Sequence, residues 1–552
     1  MSDLPDRSAG AATNPRMRWL FLLLLGLGFA DAVRRAWLCD DAFISFRYAE
    51  HLAAGQGLVF NVGERVQGFT NPLLTLTLAG LRVLGLPMEG SALALGLAAF
   101  AGTLTLLYLH ATRAGRLPVA ALGLVAMQHA RDFATSGLET SLFVFFVLAC
   151  VLRAERASSP KRAFAVGVLG SLAALTRPDG LLVYGLVGLF ALARGVRERR
   201  LRTAAAMALP ALMLLVPWLI FAQLYYGDVL PNTFYAKSAA HPWFLQGLRY
   251  VGLFLLAYAP LLVALVALLR GWRRAPTRLW LVVTVVWLFY VSWVGGDFMF
   301  ARFCLPVVPL LLLGLEQALS RIHPPRKAAL VGLLAACLML IAPVEWAVDQ
   351  DPNVADEREF YRSSICDLAT SRQTGAVLRR VLEGTRARVA IVGSQARIAY
   401  YGRLPYALEA VTGLTDREIA HHPLARRGRV GHEKRVTRRY LEHRSMNLIF
   451  DYCQESLPSR SYDAVDLGDG VMGHVYAYDA ALMQSLRGRG ARIASFEDYL
   501  DAYLAQMAEK SDEQVTRDYA EFRDYYFSHT RDPAREALFC ARVGASFSEI
   551  CR

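Results

Sequence analysis

Asp40 and Asp41 stand side by side just beyond the first long apolar run of the chain, residues 17–38, at the head of the stretch DDAFISFRYAEHLAAGQGLVFNVGERVQGFTN. Two adjacent carboxylates at a membrane surface repel each other and are costly to desolvate. They persist most easily where a cation, a positive substrate group or a transferable proton compensates them. The chemistry that fits is a general base acting on a hydroxyl, or a ligand pair for a divalent cation. An Asp before an apolar run is also a common helix N-cap, and the pair alone leaves both readings open.

Groups of related chemistry recur at the ends of later apolar runs. Glu139, Asp179 and Asp297 add carboxylates. Arg302 and Lys237, followed by Arg131 and Arg177, are cations able to hold a phosphate. Asn71, Asn232 and Tyr235 can hydrogen-bond sugar hydroxyls, and Tyr225, Tyr226, Phe234, Trp243 and Trp293 offer flat apolar faces. Each has a plain alternative: Arg and Lys snorkel to lipid headgroups, and Trp and Tyr form interfacial belts. Gathered on one side of a membrane, the set suits a lipid-phosphate-linked sugar. The phosphate leaves, the cations neutralise it, and a carboxylate accepts the proton of the acceptor hydroxyl.

The elements that must position these groups follow from the pattern of apolar residues. The chain of 552 residues is 55% hydrophobic, with a mean hydropathy of +0.31. That is too apolar for a single soluble domain and fits a polytopic membrane protein. Runs long enough to span a bilayer occur near 18–38, 90–111, 117–131, 138–153, 163–176, 180–194, 203–225, 247–270, 278–295, 302–320 and 327–346. The count is about eleven transmembrane helices. The run 71–86 is read as juxtamembrane, because only then do the Arg-rich loops all fall on one side. That arrangement is the positive-inside pattern. It accounts for the net charge of +13 without nucleic acid, for which no binding motif is present.

Beyond residue 348 the chain turns polar and charged. Residues 1–348 are therefore expected as the membrane domain and 349–552 as a soluble α/β domain, with RVAIVG, MNLIFDY and GHVYAYDA as strands and 496–528 helical. The topology places this tail, with the groups named above, outside. The sequence GSQARIAYYG after the first strand lacks the phosphate-loop patterns and reads as an ordinary turn. No CxxC or Cys/His zinc spacing occurs. Outside, Cys540 and Cys551 close a short loop and are expected as a disulfide candidate; Cys366 and Cys453 complete the set on that side.

An acidic pair in the first outer loop, followed by an amphipathic segment and many membrane helices, resembles the GT-C glycosyltransferases. The runs DDAFISFRYAEHLAAGQGLVFNVGERVQGFTNPLLTL, TSGLETSLF, TRPDG, LPNTFYAKS, GGDFMFARFCLPVVPLL and GLTDREIA with GHEK resemble, in order, the AftB-type terminal beta-(1->2) arabinofuranosyltransferases of mycobacterial cell-wall synthesis. The resemblance implies transfer of arabinofuranose from a polyprenyl-phosphate donor to an extracytoplasmic glycan, in the plasma membrane. The family's acidic pair maps onto Asp40 and Asp41. The alternatives are transfer of mannose or another hexose from a lipid-phosphate carrier to a protein or lipid acceptor, and transport of a lipid-linked sugar. A transporter would place ionisable groups mid-helix in two related halves; here they sit mostly at the ends of the apolar runs, and no repeat of halves is evident.

Overall fold

Cys39 is extended (φ −73°, ψ 150°) and the chain turns into the helix Asp40–Ala53 directly after it. Neither acid caps this helix. Cys39 holds the N-cap position, and Asp40 and Asp41 occupy the first turn, where the helix dipole favours negative charge. The peptide N–H of Cys39 donates to the Ser136 carbonyl (2.8 Å), which ties the helix start to the turn before the helix Thr140–Ala154. The helix buries Phe43, Ile44, Phe46 and Tyr48 along with Arg47, so it lies inside the fold and not on a free surface.

These are features of a computed structural model that describes residues 15–237, 241–363, 367–393, 396–410, 412–424, 427–434, 436–452 and 462–544. Four of its helices are long and apolar enough to cross a membrane: Met88–Arg113, Gly180–Arg197, Leu201–Tyr226 and Pro276–Val294. The pair Phe244–Ala257 and Pro260–Arg270 would make a fifth span, bent by 103° where Pro260 interrupts the hydrogen-bond ladder. Other expected spans are shorter. Val119–Ala126 has 8 residues, Thr140–Ala154 has 15, Pro160–Thr176 has 17, Val308–Leu319 has 12 and Pro325–Leu340 has 16. About 20 residues are needed to cross a hydrocarbon core. By length and composition, then, the described residues do not reproduce the count of about eleven. In one case the cause is a break: at Met127 the backbone turns extended (φ −69°, ψ 120°) and splits the run 117–131. The run 71–86 forms the helix Pro72–Val83, whose 12 residues rise only about 18 Å.

The chain parts into two compact units that interleave in sequence. The first comprises residues to Leu58, Arg65–Tyr361 and Pro423–Glu433; the second comprises Val59–Glu64, Arg362–His422 and Lys434–Arg552. The expected division at 348/349 therefore moves to 361/362. Backbone pairing explains the shift. Phe300 N–H donates to the Ala355 carbonyl (2.9 Å) and Ala355 N–H to that of Phe298 (2.8 Å), while Arg358 reaches Asp132 (3.6 Å). The charged stretch after 348 belongs to the membrane unit.

The second unit is built on a six-stranded sheet of β1 (Arg388–Gly393), β2 (Tyr406–Glu409), β3 (Leu448–Tyr452), β4 (Ala464–Asp466), β5 (Met472–Val475) and β6 (Arg492–Ile493). The order is β2-β1-β3-β5-β4-β6. β1 pairs in parallel with β2 and β3, and the remaining pairs are antiparallel. Asn61 joins this unit from far upstream: its amide donates to the Ala407 carbonyl (2.9 Å) and accepts from the Ala407 N–H (3.0 Å). A second layer of aromatic rings, including Tyr462, Phe496, Phe522 and Phe539, packs the helices Phe496–Ala505, Asp512–Phe522 and Pro533–Val543. Cys540 is disulfide-bonded. Cys366, Cys453 and Cys551, like Ser394 and Gln395 of the turn after β1, lie outside the described residues.

Candidate active site

The helix Pro276–Val294 stops at two successive glycines. Gly295 and Gly296 carry φ of 91° and 79°, and a Cβ on Gly296 would stand 2.6 Å from the Tyr250 ring. Only glycine suits that left-handed turn against a ring. It delivers Asp297, almost fully buried, into a set of charged groups. The Asp297 carboxylate meets Arg302 Nε at 3.0 Å and Lys237 Nζ at 3.8 Å, and accepts the Phe298 N–H at 3.0 Å. The Arg302 Nε contact is an ion pair lying out of hydrogen-bonding alignment, so its donors are not saturated by Asp297. Ala301, one residue before Arg302, has a φ of 66°. A non-glycine residue held there is strained, and such strain clusters where a fold must aim a functional group.

Asp41 completes this set. Its Oδ2 lies 4.0 Å from Arg302 Nη1 and its side chain is about a third exposed (32%). Asp40 is buried. Burial raises the Asp41 carboxyl above the ordinary carboxylate range, against the pull of Arg302 and Lys237, and Asp297 and Glu139 add to the rise. Beside it stands a carboxyl that sequence reading missed. Glu357 is buried, accepts a weak hydrogen bond from the Cys39 thiol (3.9 Å), and is pushed up to about 8 by burial and by Asp41. At neutral pH it is mostly protonated.

A second knot lies behind the first. Arg177 donates to Glu139 (2.9 Å) and grips Asp179 through Nη2 (2.7 Å) and Nε (3.1 Å). Its guanidinium lies over the Phe303 ring at 4.7 Å. The Asn71 amide donates to the other Glu139 oxygen (2.9 Å), while its own oxygen accepts from Ser45 (3.0 Å) and Thr75 (2.9 Å). Burial alone would raise the Glu139 carboxyl, but Arg177, Arg302 and Asn71 hold it below its usual range. Asn71 and Glu139 thus act as fasteners between helices, and their polar atoms are committed to the protein. Removing one partner of a buried charged set costs about 3–5 kcal/mol. Arg177→Ala is therefore expected to lower the melting temperature of the solubilised protein clearly, read by intrinsic fluorescence; an unchanged melting curve would show that this knot carries no stability.

Arg177, Asp179, Lys237, Asp297 and Arg302 share a cavity of about 150 Å³ with the aromatic rings of Tyr290 and Phe303. Asp41 reaches it through Arg302. Three expected residues are placed differently. Tyr235 donates to Asp228 (2.8 Å). Asn232 is buried and its backbone N–H donates to the Gln67 carbonyl (2.9 Å), which fixes the turn carrying Lys237. Arg131 belongs to another cluster, where it pairs with Asp31 (3.3 Å) beside the Arg35–Asp132 pair (2.9 Å). Among the described residues no group of three or more His, Cys, Asp or Glu side chains is spaced to hold a metal ion. The positive charges acting on Asp41 are those of Arg302 and Lys237.

Comparison with known proteins bears on this geometry. The chain is 34% identical over 289 residues to the terminal beta-(1->2)-arabinofuranosyltransferase of Mycobacterium tuberculosis, which covers 47% of this chain and 45% of that protein. It is 31% identical over 367 residues to the protein of the same name from Corynebacterium glutamicum, covering 56% and 53%. The chain thus spans about half the length of the curated relatives it matches. Its fold is similar to that of ArnT from Cupriavidus metallidurans. The TM-score is 0.51 to the form bound to undecaprenyl phosphate, at 16% identity over 73% of this chain and 88% of that one. To the apo form the TM-score is 0.50, at 15% identity over 72% and 86%. The GT-C fold expected from the sequence is thus matched by its structural neighbours. No protein-family model matches the chain.

Proposed function

We propose that this protein transfers arabinofuranose from a polyprenyl-phosphate donor to an extracytoplasmic glycan in cell-envelope biosynthesis. It does so as a multi-pass protein of the plasma membrane, with its C-terminal unit outside. The observation that carries the reading is the cavity in which Lys237 and Arg302 share Asp297 while Asp41 stands beside Arg302. Cations aimed into a small cavity with apolar rings suit a phosphate attached to a sugar and a lipid. The names of the relatives supply the sugar, and the undecaprenyl phosphate bound to ArnT supports the carrier.

The residues divide the work as follows. The acceptor hydroxyl attacks the anomeric carbon of the donor. Its proton passes to the Asp41 carboxylate, and the electron pair of the broken bond between that carbon and the phosphate oxygen stays on the phosphate. Arg302 and Lys237 stabilise the charge that builds there, in a site where no water need reorganise. Asp297 holds both cations in place while the site is empty. Arg177 with Glu139 and Asp179 forms the polar floor, and Asn232 sets the turn from which Lys237 projects.

A divalent cation on Asp40 and Asp41 is not needed by this scheme. Two carboxylates, one of them buried, make a poor cage for a hard cation that prefers six or more oxygens, and Arg302 already supplies charge. Treatment with EDTA is expected to leave turnover unchanged. A drop of tenfold or more that added Mg²⁺ restores would place a metal in the mechanism.

The reading is tested with purified protein, a synthetic polyprenyl-phosphate arabinofuranose and a panel of glycans, with products weighed by mass spectrometry. One added pentose on a glycan is expected. Transfer only from polyprenyl-phosphate mannose, or no transfer with intact donor, would overturn it.

A further inference from the structure

Resting on the proposed lipid-phosphate donor, we infer that Arg429 is a third ligand of the donor phosphate, brought to the cavity by the segment 427–433. In sequence this segment lies between β2 and β3 of the second unit, yet it is part of the membrane unit. Its attachment is specific. Arg427 pairs with Glu433 (3.2 Å) and lies over the Trp243 ring at 5.4 Å. Val430 lines the cavity that holds Lys237, Asp297 and Arg302. Gly431, at φ 82°, lets the backbone pass so close that a Cβ there would stand 3.4 Å from Lys237 Cε.

Three groups then gather on one ring. Phe298, the residue after Asp297, carries the Arg429 guanidinium at 5.0 Å, the Lys237 ammonium at 5.7 Å and the His432 ring edge-on at 4.8 Å. Two cations over one ring repel each other, and among the described residues Arg429 forms no salt bridge; the carboxyl it acts on is that of Glu357, which is itself pushed up to about 8. Asp297 is already shared by Lys237 and Arg302. Arg429 has its Nε buried without a hydrogen-bond acceptor among the described residues. A buried guanidinium donor left open is costly unless something fills it. His432 reports the same excess charge: burial, then Arg429 and Lys237, depress it to about 4. It is therefore neutral and adds no cation of its own.

The chemical complement is an anion richer in charge than the single negative phosphodiester of the donor. The phosphate monoester released by transfer is such an anion. Arg429 would thus grip the leaving group more tightly as the bond to the sugar breaks, which is where binding accelerates the reaction. The forked guanidinium suits two phosphate oxygens at once.

The test uses the purified full chain with two probes, undecaprenyl phosphate and the neutral alcohol undecaprenol, compared in wild type, Arg429→Ala, Arg429→Lys and Arg427→Ala. Arg429→Ala is expected to weaken the phosphate by roughly tenfold to a hundredfold, leave the alcohol unchanged, and melt like wild type. Arg429→Lys recovers part of the loss. Arg427→Ala, which loosens the segment, is expected to affect both probes alike. Unchanged phosphate affinity in Arg429→Ala would overturn the inference alone. So would an equal loss for phosphate and alcohol, which marks Arg429 as structural. A wild type that does not prefer the phosphate over the alcohol overturns both the inference and the donor reading.

Discussion

Asp41→Asn is expected to insert and fold as the wild type does and to lose at least about a hundredfold in turnover. The substitution keeps the shape and removes the charge. A cap would tolerate it, because Asn caps a helix about as well as Asp, but Cys39 and not Asp41 is the N-cap. What the change removes is a proton acceptor about a third exposed and 4.0 Å from Arg302. A sugar hydroxyl is a weak nucleophile, and a positioned carboxylate gains roughly 10²–10⁴-fold on it. Asp40→Asn is expected to cost less, since Asp40 is buried in the helix start. If Asp40→Asn is the crippled variant and Asp41→Asn is near wild type, the base is Asp40. Full activity in both removes the pair from the mechanism.

The pH profile carries the sign of the same argument. In the proposed mechanism Asp41 works as a carboxylate, and burial raises it above its ordinary value of 3.8. Activity is therefore lost as pH falls through a value above 3.8, and this acid limb disappears in Asp41→Asn. Glu357 works as a neutral neighbour, pushed up to about 8. Above that pH it ionises, places a second negative charge beside Asp41, and repels the phosphate. kcat/KM for the donor is expected to fall on the alkaline side near pH 8 in the wild type and to stay level there in Glu357→Gln. An alkaline limb that persists in Glu357→Gln assigns it to another group.

Much of the polar set was legible because membrane proteins keep ionisable groups at helix ends, where a short motif exposes them. Asp41, Lys237, Asp297 and Arg302 stand out in this way, and the fold brings them within 4.0 Å of one another in a chain of pairs. Residue type alone does not reveal partners. Asn71 has the right chemistry for a sugar hydroxyl, yet Ser45, Thr75 and Glu139 take up its amide. Arg131 has the right charge for a phosphate, yet Asp31 claims it. Tyr290 and Phe303 sit in apolar runs and read as core until the cavity wall is seen. Arg429 is hidden further, because a segment surrounded by soluble sequence gives no local sign that it packs with a membrane unit. The number of spans is not read from composition for a related reason. Composition records apolar residues, whereas an extended Met127 or the bend before Pro260 breaks a helix without changing its hydropathy.

Arg302→Ala is expected to reduce kcat/KM for the donor by roughly thirtyfold to several-thousandfold, the equivalent of about 2–5 kcal/mol for truncating one member of a buried charge pair. Two effects are mixed in that number: the phosphate loses a ligand, and Asp297 loses its counter-charge. They can be separated. Arg302→Lys keeps the charge but not the fork, so it restores folding and part of the rate if the phosphate is held at two oxygens. Asp297→Asn in the Arg302→Ala background removes the stranded carboxylate. That double variant is expected to regain the melting temperature and yield of the wild type without regaining donor kcat/KM. The reason is geometric: Arg302 Nη1 donates to Met299 Sδ (2.8 Å) and lies 4.0 Å from Asp41, while Nε meets Asp297 out of hydrogen-bonding alignment and is left with an open donor. Should the double variant turn over donor as the wild type does, Arg302 serves only to neutralise Asp297, and the phosphate must rest on Lys237 and Arg429 instead.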